Sequence, residues 1–127
     1  MKRVVVTGMG LVTPLGCGID INWKNLISGV SGAKKISKFD TSNYKCQVAC
    51  EVPLDSEIEG SFVAEDWIDK KELKKLDDFL KYSLAAGEQA FRQSKLKSIQ
   101  DPVSYRSGCI IGSGMGGLPG IEETSLS

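Results

Sequence analysis

Two short apolar runs, each set beside a glycine-rich loop, constrain this chain more than any other feature. Lys2–Thr7 is built on Val4-Val5-Val6, and Arg106–Gly112 on Cys109-Ile110-Ile111. Neither alternates polar with apolar residues. Both are therefore expected as strands covered on both faces, as in a parallel sheet. Ten of the fourteen glycines fall in residues 8–18 and 108–120, so each strand should run straight into a tight turn. Strands and helices in alternation predict an α/β fold.

The helices come from periodicity and punctuation. Asp20 is placed to cap a helix running through Ile27, and Gly29 is its stop signal. Residues 30–44 read as irregular, and Cys46–Val52 as a strand ended by Pro53. Farther on, Asp69 and Glu72 have capping-box spacing. Leu73, Leu76, Leu80, Leu84, Gly87 and Phe91 then follow at helical intervals, with Phe79, Ala86 and Ala90 widening the stripe. A break is expected near Leu76-Asp77. Gly87, costly inside a helix, is expected to mark close packing against another element. Residues 118–127, with Pro119 and Gly120, read as too broken to form a covering layer. Two or three helices are then asked to cover strands that need cover on both faces. Exposed apolar surface is expected, marking a missing partner or further chain.

Composition narrows the chemistry. The 127 residues suit one domain, and 41% apolar content suits a globular one. Sixteen basic residues balance sixteen acidic ones, which argues against nucleic-acid or anionic-membrane binding through bulk charge. There is no histidine. That excludes Ser-His-Asp and Cys-His catalysis and His-containing zinc sites within these residues. Met1-Lys2-Arg3 followed by three valines falls short of a secretory or membrane-spanning segment, so a cytoplasmic protein with reduced thiols is expected. Cys17, Cys46, Cys50 and Cys109 match no metal or redox spacing. On an extended strand Cys46 and Cys50 would sit about 13 Å apart, at about 3.3 Å per residue, beyond disulfide reach. They read as small, half-buried side chains, and Cys109 as buried in its strand.

Three features are candidates for function. Gly112, Gly114 and Gly117 satisfy G-x-G-x-x-G after an expected strand, the setting of a dinucleotide-binding turn. The alternative is a purely structural use of glycine in both loops, for positive φ or close backbone packing. Lys70, Lys71, Lys74 and Lys75 span an arc of about 140° if helical, at about 100° per residue. They form either a ridge that attracts an acidic partner or a solvated face balanced by Glu65, Asp66, Asp69 and Asp78. Ser113 lacks the G-x-S-x-G frame and any histidine to activate it, so it is not read as a nucleophile.

Taken together, Arg3–Gly10 with Thr13-Pro14-Leu15-Gly16, Ser31-Gly32, Phe39–Ser42, Lys75–Phe79 with Ala86-Gly87, and Gly112–Leu118 with Glu122-Glu123 resemble the start of a β-ketoacyl-[acyl-carrier-protein] synthase of the type II class. The resemblance runs along essentially the whole chain. It implies part of the N-terminal half of a thiolase-like fold, layered α-β-α-β-α, in an enzyme about three times this length that acts as a homodimer in fatty acid biosynthesis. It implies acyl and malonyl carrier proteins as partners, and no metal or other cofactor. In that family a cysteine takes the acyl chain, and two histidines promote decarboxylation of malonyl carrier protein. The resulting carbanion then attacks the thioester, with backbone amides holding the oxyanion. The resemblance places that cysteine and both histidines beyond Ser127, so no catalytic residue is expected here. Residues 1–127 would be the portion preceding the nucleophile. Met115 matches a position, often isoleucine, that lines the acyl pocket. Lys71, Lys74 and Lys75 match the patch that docks the carrier protein, with Lys70 a weaker addition. The resemblance also moves Gly112–Gly117 away from nucleotide binding.

Overall fold

The structure, a computed structural model, describes residues 2–96 and 104–126. The chain divides into two compact units, one of Leu11–Val63 and one of Met1–Gly10 together with Ala64–Ser127.

The Leu11–Val63 unit opens with a tight hairpin. Strand β1 (Val12–Thr13) pairs antiparallel with β2 (Gly16–Cys17), Thr13 opposite Gly16, across Pro14-Leu15. Gly16 and Gly18 have φ of 137° and 106°, a region side chains avoid, which is why this loop is glycine-rich. Helix α1 (Ile19–Ile27) follows, with Gly18 and not Asp20 at its N-cap; Asp20 sits in the first turn. Its end is as expected. Gly29 adopts φ 68°, the Gly29 N–H donates to the Leu26 carbonyl (3.1 Å), and the Val30 N–H donates to the Asn25 carbonyl (2.9 Å). Both bonds satisfy carbonyls that the helix terminus would otherwise orphan. Strand β3 (Ala33–Lys35) pairs antiparallel with β4 (Val48–Cys50), Lys34 opposite Ala49. β4 lies within the expected Cys46–Val52 strand, whereas β3 falls in a stretch read as irregular. Ala33-Lys34-Lys35 has no strand pattern of its own; β4 supplies the ladder that makes it one.

The second unit is helical. A 3₁₀ turn (Ala64–Asp66) leads to α2 (Lys70–Leu73), and α3 (Asp78–Gln93) begins after the expected break, with Asp77 at its N-cap. Another 3₁₀ turn (Ser104–Arg106) precedes α4 (Leu118–Leu126). α4 corrects the expectation for the last ten residues. Pro119 lies in the first turn, where a missing N–H costs no helical bond, so the helix forms through it.

Tight packing in this unit centres on α3, but not on its leucine stripe. Ala85 is fully buried, whereas Leu84 and Gly87 are exposed. A Cβ at Gly87 would meet nothing within 4 Å, so Gly87 is not the close-packed glycine. That part belongs to Gly8 and Gly10. A Cβ on Gly8 would run into the Ala90 carbonyl oxygen, and one on Gly10 into that of Ala86. The Met9 N–H also donates to Gln93 Oε1 at 2.7 Å. Two side-chain-free positions thus let the chain lie directly on the helix backbone where α3 itself carries alanines.

The two expected apolar strands are not strands here: residues 2–7 and 107–112 join no ladder among the described residues, and Arg106 ends a 3₁₀ turn. Val4 is 93% and Ile110 100% exposed, and Cys109 is exposed with it, not buried. A strand is held by the backbone groups of its neighbours, and a run apolar on both faces also needs cover from outside itself. No ladder among the described residues provides either to these segments. They stand as the exposed apolar surface that the shortage of helices foretold.

Candidate functional site

The glycine loop before α4 is shaped by its own short contacts. The Ser113 hydroxyl accepts a hydrogen bond from the Gly116 N–H (3.2 Å), and Gly116 takes φ 71°. Ser113 therefore closes a turn, a structural use of a serine, and Gly116 supplies the left-handed residue that the turn needs. Met115 rides on this turn, 71% exposed. Gly117 then enters α4 and helps line a cleft of about 590 Å³ with Asp77, Phe79, Leu80, Ile121 and Thr124. The cleft is apolar along Phe79, Leu80 and Ile121, with one carboxylate at its rim.

The lysines lie on the neighbouring helical segment, all exposed. Lys70 and Lys71 belong to α2, but Lys74 and Lys75 fall in the turn after it, where the Lys75 N–H donates to the Glu72 carbonyl (2.9 Å) and the Leu76 N–H to that of Leu73 (3.4 Å). Bonds of three-residue span wind about 120° per residue and not about 100°. Lys74 stays between Lys70 and Lys71, while Lys75 swings outward and the arc widens to about 180°. Lys75 Nζ there lies 3.8 Å from Glu72 Oε1. That pair is solvent-exposed and weak, so it masks little of the cluster's charge.

The cysteines are all free thiols: Cys17 is half-buried, and Cys46, Cys50 and Cys109 are exposed. Cys46 and Cys50 are thus more open than the half-buried side chains expected, and Cys109 than the buried one expected.

Two residues with clear structural work carried no motif. Asn22, 5% exposed in the middle of α1, donates through Nδ2 to the carbonyls of Gly16 (2.9 Å) and Gly18 (2.7 Å), and its Oδ1 accepts from the Thr13 hydroxyl. It holds the β1–β2 hairpin onto the helix. Its sequence signal was no more than an asparagine six residues after the Thr13-Pro14-Leu15-Gly16 corner. The second is Asp77, whose carboxylate lies against Gly117 and Gly120. Its signal, an Asp at a helix break, pointed to its own helix alone.

The chain belongs to the β-ketoacyl synthase family, whose N-terminal domain profile ("Beta-ketoacyl synthase, N-terminal domain") matches residues 1–126. Among individual relatives, the chain is 40% identical over 127 residues to a 3-oxoacyl-[acyl-carrier-protein] synthase 2 of Rhizobium meliloti (strain 1021), covering all of this chain and 30% of the relative. It is 39% identical over 121 residues to the protein of the same name from Staphylococcus aureus (strain N315), covering 95% and 27%. With the protein of that name from Vibrio cholerae serotype O1 the identity is 40%, again covering 95% and 27%. The chain thus spans less than a third of the length of these relatives. Among solved structures, "The ishigamide ketosynthase/chain length factor" superposes with a TM-score of 0.61 at 31% identity, over 73% of this chain and 21% of that one. The fold is accordingly mixed α/β and thiolase-like, of the ketosynthase kind.

Proposed function

We propose that these residues supply the carrier-facing surface and one wall of the acyl pocket of a 3-oxoacyl-[acyl-carrier-protein] synthase. Such an enzyme lengthens a carrier-bound acyl chain by decarboxylative condensation with malonyl carrier protein in fatty acid biosynthesis. The observation that carries this reading is the match to the family over residues 1–126, with three relatives of one name at about 40% identity.

Lys71, Lys74 and Lys75 act first. Their exposed ammonium groups attract an acidic carrier domain and orient it before contact, and Lys70 strengthens the field. Met115 acts on the cargo. Its flexible thioether, on a turn fixed at Ser113 and Gly116, adapts to the acyl tail and helps set the tolerated chain length. In this proposal the rest of the pocket and the nucleophilic cysteine are supplied by residues outside these 127, and so are both histidines, of which the 127 contain none. The complete enzyme is a cytoplasmic homodimer in this proposal. No helix among the described residues is long and apolar enough to cross a membrane.

A second reading, a carrier-docking or dimerisation module without chemistry of its own, is favoured by the same absence of histidine. Titration of isotope-labelled acyl carrier protein with this chain at low salt tests the shared step. Resonances on the acidic face of the carrier should shift, and the shifts should disappear in the triple charge-reversal variant Lys71→Glu, Lys74→Glu, Lys75→Glu. They should also fade as added salt shortens the Debye length below about 10 Å. No shift at low salt, or shifts indifferent to the reversal, would remove docking from both readings.

A further inference from the structure

Asp77 is at the N-cap of α3, yet its side chain makes no capping hydrogen bond to that helix. Its carboxylate turns instead to the start of α4. A Cβ at Gly117 would overlap the Asp77 carboxylate, and a Cβ at Gly120 would lie 3.0 Å from Oδ2. α4 has no acidic residue in its own first turn, and the residue before it, Gly117, has no side chain with which to cap it. A helix N-terminus carries partial positive charge and unpaired N–H groups, so a carboxylate brought there from another element stabilises it. Two glycines of the Gly-rich segment, otherwise odd at the entry and in the interior of a helix, are explained by the space this carboxylate fills.

We infer that Asp77 is a positioning residue: its carboxylate latches α3 to the first turn of α4 and so fixes the turn that presents Met115. The mechanical path is short. Met115 lies between two anchored points, the Ser113 Oγ bond to the Gly116 N–H on one side and the Gly117–Asp77 contact on the other. Release of the second anchor frees the turn from one end. The consequence for acyl-chain length rests on the function proposed above. The latch itself does not, because it is read out without substrate.

The test uses the 127-residue chain, with amide exchange and the Met115 methyl resonance as readouts. Asp77→Asn keeps the shape and removes the charge, and Asp77→Ala removes both. Each should speed exchange of the α4 amides about five- to tenfold, the scale of a carboxylate at a helix N-terminus. Each should also move the Met115 methyl toward its random-coil position. Asp78→Asn removes the neighbouring charge, whose partner is Lys81 at 3.0 Å, and should do neither. Gly120→Ala decides the matter independently with Asp77 intact, even if an Asp77 variant fails to fold. Alanine ordinarily strengthens a helix interior, but here its Cβ would stand 3.0 Å from Oδ2 and press the carboxylate back, so the usual slowing of α4 exchange should be lost. Slower exchange in Gly120→Ala would overturn the latch. So would faster exchange confined to Leu80 and Lys81 in the Asp77 variants, which would return Asp77 to capping its own helix. A failed carrier titration with an intact exchange pattern would remove the proposed function and leave the latch standing.

Discussion

Asn22 offers the sharpest test of how the Leu11–Val63 unit is held. Its amide donates to the Gly16 and Gly18 carbonyls at 2.9 and 2.7 Å, and its carbonyl takes the Thr13 hydroxyl proton. At a net of about 1 kcal/mol per buried hydrogen bond, Asn22→Ala should cost about 3 kcal/mol. Unpaired carbonyls left in the site add to that figure. Such a loss shifts the unfolding equilibrium about 150-fold, at about 1.4 kcal/mol per decade. Asn25, on the same helix, provides an internal scale. Its Nδ2 makes one bond, to the Leu15 carbonyl at 2.8 Å, so Asn25→Ala should cost about 1 kcal/mol. Asn22→Asp should be at least as damaging as Asn22→Ala, because a carboxylate has no proton to give two carbonyls. Urea unfolding followed at the α1 amide resonances reports this unit directly. If Asn22→Ala costs no more than Asn25→Ala, or if Asn22→Asp is tolerated, the hairpin is held by something other than this side chain.

Gly10→Ala should destabilise the other unit by about 2 kcal/mol or more, the scale of overpacking where backbone must retreat, since the new Cβ would lie 2.8 Å from Gln89 Cβ besides striking the Ala86 carbonyl; thermal unfolding checks it, and a change below about 0.5 kcal/mol, the level of an ordinary surface substitution, would contradict the close approach. Ser42 holds the Asp40 carboxyl below its ordinary value of 3.8, by its hydroxyl first and its N–H second, and the Ser37 hydroxyl does the same to Glu51 below 4.5. A lowered carboxyl contributes stability that is fully present above the ordinary value and is lost as pH falls through the lowered one. The Ser37–Glu51 and Asp40–Ser42 contacts should therefore persist at pH 5 and open only in stronger acid. Ser42→Ala should raise the Asp40 midpoint in a side-chain NMR titration, and an unmoved midpoint would refute the cause.

Elements fixed by local chemistry were readable in the residues. Gly29 ended α1 as its composition demanded, and the Asp77-Asp78 pair separated α2 from α3 where the stripe loosened. Features fixed by a distant partner were not. Periodicity found the helix but not its burial, since Ala85 alone of α3 is buried, and nothing in it told that Gly8 and Gly10, far upstream, would make the close contact and leave Gly87 open. β3 is a strand only because β4 pairs with it. Pro119 and Gly120 resembled helix breakers, yet α4 forms through them, because the first turn tolerates proline and Asp77 fills the space beside Gly120, facts that only the folded chain displays. The valines of residues 4–6 suggested a strand through side-chain character, but among the described residues no neighbouring backbone pairs with them. Of the candidate site, the lysine cluster was legible as a run of charge. Asn22 and Asp77 were not, since each acts across a fold that no spacing rule encodes.

The division of labour proposed for these residues, recognition here and bond formation elsewhere, is tested most directly by product analysis. The 127-residue chain is incubated with acyl and malonyl carrier proteins, beside a full-length 3-oxoacyl-[acyl-carrier-protein] synthase 2 as control, and the carrier-bound thioesters are weighed by mass spectrometry. The control should yield the extended 3-oxoacyl thioester, and this chain should leave both thioesters unchanged. A 3-oxoacyl product formed by this chain alone would place the chemistry inside residues that contain no histidine, and would contradict the account.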